Sequence, residues 1–303
     1  MIACPQRVID LVAGIAKLPK IIRPAGILFE EPLGEYFPDE VANFTKTIRT
    51  AMDENGWKSQ YQLPKGQRKV DGVLLYHVHE QYGLANATVL DALAAGADGI
   101  WCALSEEGAS MNHASSAVAL TNLARLGNKD IMEQFSTKNI VSAAREVAEV
   151  TTGQPVRAKQ IVYGSGAVDI CFGFGAIAQG RRTNVDYNGD GVVDDVDKFS
   201  VARLIGLEDQ PARISTLASP SLVVKRLKQC FGEHESFNEE NGGLILAEIR
   251  KRLEKNIKED YNTPEELAKL YEVTFPDKDL PPSMLDALKI KKDKKRKCCD
   301  DSK

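Results

Sequence analysis

Apolar positions along the first 127 residues switch between two periods. In "PQRVIDLVAGIAKL" Val8, Leu11, Val12, Ile15 and Leu18 recur at helical spacing. "AGILFEEP" is a short apolar run stopped by Pro32 and predicts a buried strand. "PDEVANFTKTIRTAMDENG" predicts a helix that opens on Pro38, carries acids in its first turn and closes near Gly56. "DGVLLYHVH" predicts the next strand, and "LANATVLDALAAGA" a helix of small residues closing at Gly96. "DGIWCALS" then predicts a strand, and "NHASSAVALTNLARLG" a helix closing at Gly127. Strands of near-continuous apolar character alternating with helices predict a parallel sheet covered by helices, an α/β fold.

Beyond residue 130 the pattern is mainly helical. "TKNIVSAAREVAEVTTG" closes on Gly153, and "SPSLVVKRLKQCFG" enters a helix through Ser-Pro. "TPEELAKLYE" opens with Thr263, Pro264 and Glu266, the arrangement of a capping box. "YGSGAVD" lacks the lysine of a phosphate loop and reads as a glycine-rich connection. The tail "KIKKDKKRKCCDDSK" is a run of charge with the composition of a disordered segment.

Composition narrows the function classes. The 303 residues are 43% apolar, enough for a sizeable core, and hold no apolar run long enough to span a membrane. A net charge of -4 argues against a general nucleic-acid binder. The six cysteines show no CxxC and read as reduced thiols, so a cytoplasmic location is expected, with an organelle as the alternative.

Candidate chemistry centres on "VLLYHVHEQYGL". His77 and His79 stand two apart at the end of a strand pattern, so both imidazoles fall on one face. The neighbouring strand patterns end in "FEEPLGEY" and "LSEEGASMNHAS", bringing Glu30, Glu31, Glu106, Glu107 and Asn112 to the same end of the sheet. Imidazoles, carboxylates and an amide oxygen together suit Mg²⁺, Mn²⁺ or Zn²⁺. His113 reads as an exposed polar residue, or as a helix-start group able to help bind an anion.

The run from Glu31 to Ser116 resembles the metal-dependent aldolase-type TIM barrels, a family that includes HMG-CoA lyase, isopropylmalate synthase and the pyruvate carboxyltransferase domain. "EPLGEYFPDEV" is similar to the sixth-strand segment of that family, "HVHEQYGLANATVLDALAAGAD" to its seventh strand and helix, and "EEGASMNHAS" to its eighth-strand segment. The resemblance implies a partial (β/α)8 barrel, strands six to eight, followed by a mainly helical region. It implies His77, His79 and Asn112 as ligands of a divalent ion. It further implies an oxo-acid or acyl-CoA substrate and carbon-carbon lyase or synthase chemistry. Glu31 stands where the family has an aspartate, and glutamates replace the lyase cysteine before "GAS". Glu31 and Glu107 are therefore the candidate catalytic residues. The family's R-D-G motif is absent. The expectation is a catalytically incomplete chain that needs a homo-oligomer or another partner to complete its barrel.

"DYNGDGVVDDVD" fits a calcium loop of the EF-hand type and resembles one dockerin repeat. Asp186, Asn188, Asp190, the Val192 carbonyl, Asp194 and Asp197 supply the oxygens, with Gly191 at the sharp turn. A non-enzymatic calcium-binding protein that keeps a half-barrel scaffold is thus the rival reading. The expected organisation is a partial barrel over 1–127, a helical extension over 128–180 and a calcium loop with exit helix over 181–210. A helical region over 211–288 and a basic tail over 289–303 complete it.

Overall fold

A computed structural model describes residues 5–60, 70–108, 112–169, 201–207, 211–257, 261 and 263–288. The chain divides into two compact units, with the division between Ala167 and Val168.

The first unit is built on a parallel sheet of three strands in the order β1-β2-β3, with β1 Gly26–Glu31, β2 Val73–Val78 and β3 Gly99–Trp101. Parallel neighbours need long crossovers, and helices α2 (Pro38–Glu54) and α3 (Ala85–Ala94) supply them, with α1 (Pro5–Ala16) packed on α2. Helix α2 begins where Pro38 sets its first turn. The Glu40 carboxylate accepts the Phe37 N–H at 2.9 Å. Its buried stripe, Val41, Thr45, Ile48 and Met52, recurs at helical spacing. Ile48 and Met52 close over Leu74 and Trp57. The small residues Ala85, Val89 and Ala92 let α3 lie close against Tyr76 and Val78. Arg49 crosses this packing, donating to the carbonyls of Gly96 and Gly72 and pairing with the nearly buried Asp98 carboxylate. Asp98 also accepts from Ser59 and from the Leu74 N–H, so the buried charge is fully bonded.

Two elements differ from the sequence reading. The strand expected over "DGIWCALS" ends at Trp101. Past it the chain folds toward Ser115 through a bridge with Ala103, and the Ser115 hydroxyl donates to the Leu104 carbonyl. The helix expected from Asn112 begins instead at Ser116 as α4 (Ser116–Arg125), because Ser115 caps it by accepting the Val118 N–H. Helices α5 (Lys129–Gln134) and α6 (Thr137–Thr152) follow, and α6 packs on α4. Among the described residues the unit is mixed α/β with three strands in its sheet, and no closed barrel is formed by them.

The second unit is helical. A short α7 (Val201–Leu204) precedes α8 (Pro220–Phe231), α9 (Glu239–Leu253) and α10 (Pro264–Thr274), with a last helical stretch over 282–288. Ile214, Val223, Leu227, Ile245, Ile249, Leu267 and Tyr271 form its core. The capping box at Thr263 and Glu266 is present. Helix α9 falls within the helical region expected over 211–288, but the Gly242–Gly243 pair interrupts its pattern and hides its bounds. A Cβ added at Gly242 would lie 2.7 Å from the Pro220 carbonyl oxygen, so glycine there lets α9 touch the start of α8.

Candidate metal centre

Strand alternation sets the site. Glu30, His77 and Trp101 are register partners across β1, β2 and β3, so their side chains share one face of the sheet. His79, just past β2, joins that face, with its ring centroid 4.8 Å from that of His77. The third member is His113. It bridges His79 in antiparallel fashion, and its ring lies 4.6 Å from each of the other two. One potential ligand atom from each imidazole lies within 4.8 Å of the other two. Three nitrogen donors held this close can serve one divalent ion, with zinc and other imidazole-binding metals favoured.

The hydrogen bonds of the rings are compatible with that chemistry. His77 Nδ1 lies 2.7 Å from the Trp101 carbonyl oxygen, which can only accept, so Nδ1 is the donor and the lone pair of the neutral ring falls on Nε2. His79 Nε2 lies 3.1 Å from a Glu30 carboxylate oxygen. Its Nδ1 is buried and makes no hydrogen bond. A buried nitrogen lone pair without a donor is costly unless something fills it, and a metal ion is one group that could. The His113 ring packs so tightly on its own loop that a Cβ at Gly108 would collide with it and with Ala103. Burial, then the neighbouring His77 and His79, push the His113 pKa down, while Glu30 opposes the shift. The neutral ring is the form that can donate to an ion.

The residues expected from sequence fall in different places. His77 and His79 lie together. Asn112 is exposed, has a left-handed φ of 53°, and accepts the Glu80 N–H on its carbonyl at 3.2 Å. Its neighbour His113 supplies the third imidazole. The signal for His113 was present in the composition, since three of the chain's four histidines meet here.

Glu31 lies on the opposite face from Glu30 and His77, in register with the buried Val78. One of its oxygens accepts the N–H groups of Leu33 and Glu35 at 3.2 and 3.3 Å, so the carboxylate shapes the turn after β1. It also contributes, after burial, to raising the Tyr76 pKa. The Glu106 carboxylate is occupied by the amides of Asn86 and Gln160. Glu107 is half-buried, with the Tyr163 hydroxyl 3.4 Å from its carboxylate. Burial raises the Tyr163 pKa, the Glu106 backbone N–H opposes the shift, and the charges of Glu106 and Glu107 add to the rise, which keeps the phenol protonated. The calcium-loop residues Asp186, Asn188, Asp190, Val192, Asp194 and Asp197 lie outside the described residues, as does the basic tail. Among the described residues no helix is long and apolar enough to cross a membrane.

No family model matches the chain, and no curated protein matches it. Among solved structures it is similar to the carboxyl transferase domain of Rhizobium etli pyruvate carboxylase, determined with pyruvate. The identity is 15% and the TM-score 0.35, over 94% of this chain and 38% of that one. This chain therefore spans well under half the length of that neighbour.

Proposed function

We propose that the first unit holds a divalent metal ion on His77, His79 and His113 and uses it on the carbonyl of a small oxo-acid or acyl-CoA substrate, in lyase or acyl-transfer chemistry. The observation that carries this reading is the buried, unbonded Nδ1 of His79 within a group of three imidazoles. When bound, the ion would supply Lewis acidity toward a carbonyl oxygen. The remaining work falls to the chain's own residues. The Trp101 carbonyl holds the His77 proton on Nδ1. The Glu30 carboxylate accepts from His79 Nε2 and orients that ring, as carboxylate partners of metal-bound histidines do. Glu107, bonded by the Tyr163 hydroxyl, is the group we assign to holding or moving a substrate proton. Asn112, exposed and next to His113 in the chain, is assigned to the rim of the site.

Metal analysis of the purified chain after dialysis against Zn²⁺, Mn²⁺ or Mg²⁺ tests the reading. The expected result is one ion per wild-type chain, with zinc retained best, and none in His77→Ala. Equal metal content in the two proteins, or none in either, would overturn it.

A further inference from the structure

We propose that Asn86 and Gln160 are positioning residues for this centre. They grip the two oxygens of the Glu106 carboxylate and so fix the loop that carries His113. The inference rests on the three-histidine reading above and deepens it by naming what sets the third ligand.

His113 lies on the connection between β3 and α4, where the Ala114 N–H donates to the Val78 carbonyl at 3.1 Å and the Asn112 carbonyl accepts the Glu80 N–H at 3.2 Å, so the end of β2 holds one side of the loop and its other side needs a separate support. The His113 backbone N–H donates to the Glu106 carbonyl at 2.9 Å, so the position of Glu106 is passed directly to His113. Glu106 is held from two sides. From α3, the Asn86 amide donates to one carboxylate oxygen at 2.9 Å, while its own carbonyl accepts the Ser115 N–H at 2.9 Å. Asn86 thereby clamps both ends of the loop. From the turn after α6, the Gln160 amide donates to the other carboxylate oxygen at 2.7 Å. The Glu106 N–H donates to the Tyr163 hydroxyl at 3.2 Å. Gln160 and Tyr163 are buried, and Arg145 fixes the Tyr163 carbonyl at 2.7 Å.

A second observation shows how firmly that turn is held. Val162, between these two anchors, is buried with a φ of 67°. A β-branched residue rarely enters the left-handed region, and it stays there only where its neighbours over-determine the backbone. The turn's own bond from the Gly164 N–H to the Gln160 carbonyl at 2.9 Å and the Arg145 contact supply part of that constraint, and the bonds of Gln160 and Tyr163 to the Glu106 region add to it. A carboxylate with both oxygens occupied by amides is a poor ligand or base, so its charge serves to hold the loop.

Titration of the full chain with Co²⁺, followed by its visible absorption bands, tests the proposal. Gln160→Leu removes the donor at similar volume. It should weaken Co²⁺ binding about tenfold or more and alter the bands, as expected when a ligand's supporting partner is lost. Gln160→Glu should do the same by setting two carboxylates face to face. Adding Glu106→Gln to Gln160→Glu restores a donor–acceptor pair and should return binding to within about twofold of wild type. Ile48→Val, remote from the loop, should lower the melting temperature and leave the Co²⁺ affinity unchanged. If Gln160→Leu fails to fold, Tyr163→Phe, which removes the hydroxyl contact, takes its place with the same expected loss. Wild-type binding by folded Gln160→Leu, or no restoration in the folded double variant, overturns the positioning role while leaving the centre intact. Absence of Co²⁺ binding by wild type overturns the centre, and the positioning role with it.

Discussion

Nδ1 of His77 lies 2.7 Å from the carbonyl oxygen of Trp101, its register partner on the adjacent strand. The sheet itself therefore selects the tautomer of the ring. The carbonyl belongs to the backbone, so no side-chain substitution at Trp101 removes it. The supporting contact that can be changed is the one between His79 and Glu30.

Glu30→Gln keeps the size of the side chain and removes its charge. The carboxylate is half exposed, so the loss should leave stability almost unaltered. Metal affinity should fall about tenfold, because the histidine loses the partner that raises its basicity. Equilibrium dialysis with Zn²⁺ on the two proteins checks this. Equal affinities would remove Glu30 from the site.

Gly242→Ala separates local propensity from packing. In a helix interior alanine is favoured over glycine by about 1 kcal/mol. Here the added methyl would meet the Pro220 carbonyl at 2.7 Å, so α8 and α9 must part. The substitution should lower the thermal midpoint. A raised midpoint would mean that the two helices do not approach so closely.

Asp71 gives a pH dependence of defined sign. Burial alone would raise its pKa. Its bonds from Trp57 and Lys20, with the Arg23 charge, outweigh that and hold it below the usual carboxylate range. The unfolded chain then binds the proton more readily, so the group stabilises the fold above its unfolded value, about pH 4. This contribution is lost as pH falls through the lower folded value. Urea midpoints of wild type and Asp71→Asn should differ most near pH 6 and converge in acid. A gap that widens in acid would reverse the assignment.

Several features of the fold could be read from residue order because they are local. Pro38 with Asp39 and Glu40 marks the start of α2, and Thr263 with Glu266 marks that of α10. The period of two placed His77 and His79 on one face. What escaped depends on distant neighbours. Nothing near Gly242 in the chain announces the Pro220 carbonyl. His113 sits on a loop whose course is fixed by Asn86 and Gln160, 27 residues before it and 47 after. Glu30 and Glu31 both end β1, but adjacent strand residues face opposite ways, and only the register shows that Glu30 is the one on the face of the rings.

The calcium loop is an independent proposal carried by the sequence pattern. Aspartate at the twelfth position is a methylene shorter than the usual glutamate, so affinity should be modest, on the order of 10⁻⁵ to 10⁻³ M. Calorimetry should show calcium heats in the wild type that vanish in Asp186→Ala, with His77→Ala unaffected. Equal heats in wild type and Asp186→Ala, or none in the wild type, would reduce the loop to a turn.

The central claim is that three imidazoles, from the end of β2 and from the loop before α4, hold one ion. Zn²⁺ stoichiometry and affinity of wild type, His113→Ala and Asn112→Ala test it most directly. The account predicts one tightly held ion in wild type, loss of that ion in His113→Ala, and its retention in Asn112→Ala. Binding by His113→Ala equal to that of the wild type, with the ion lost from Asn112→Ala, would contradict it.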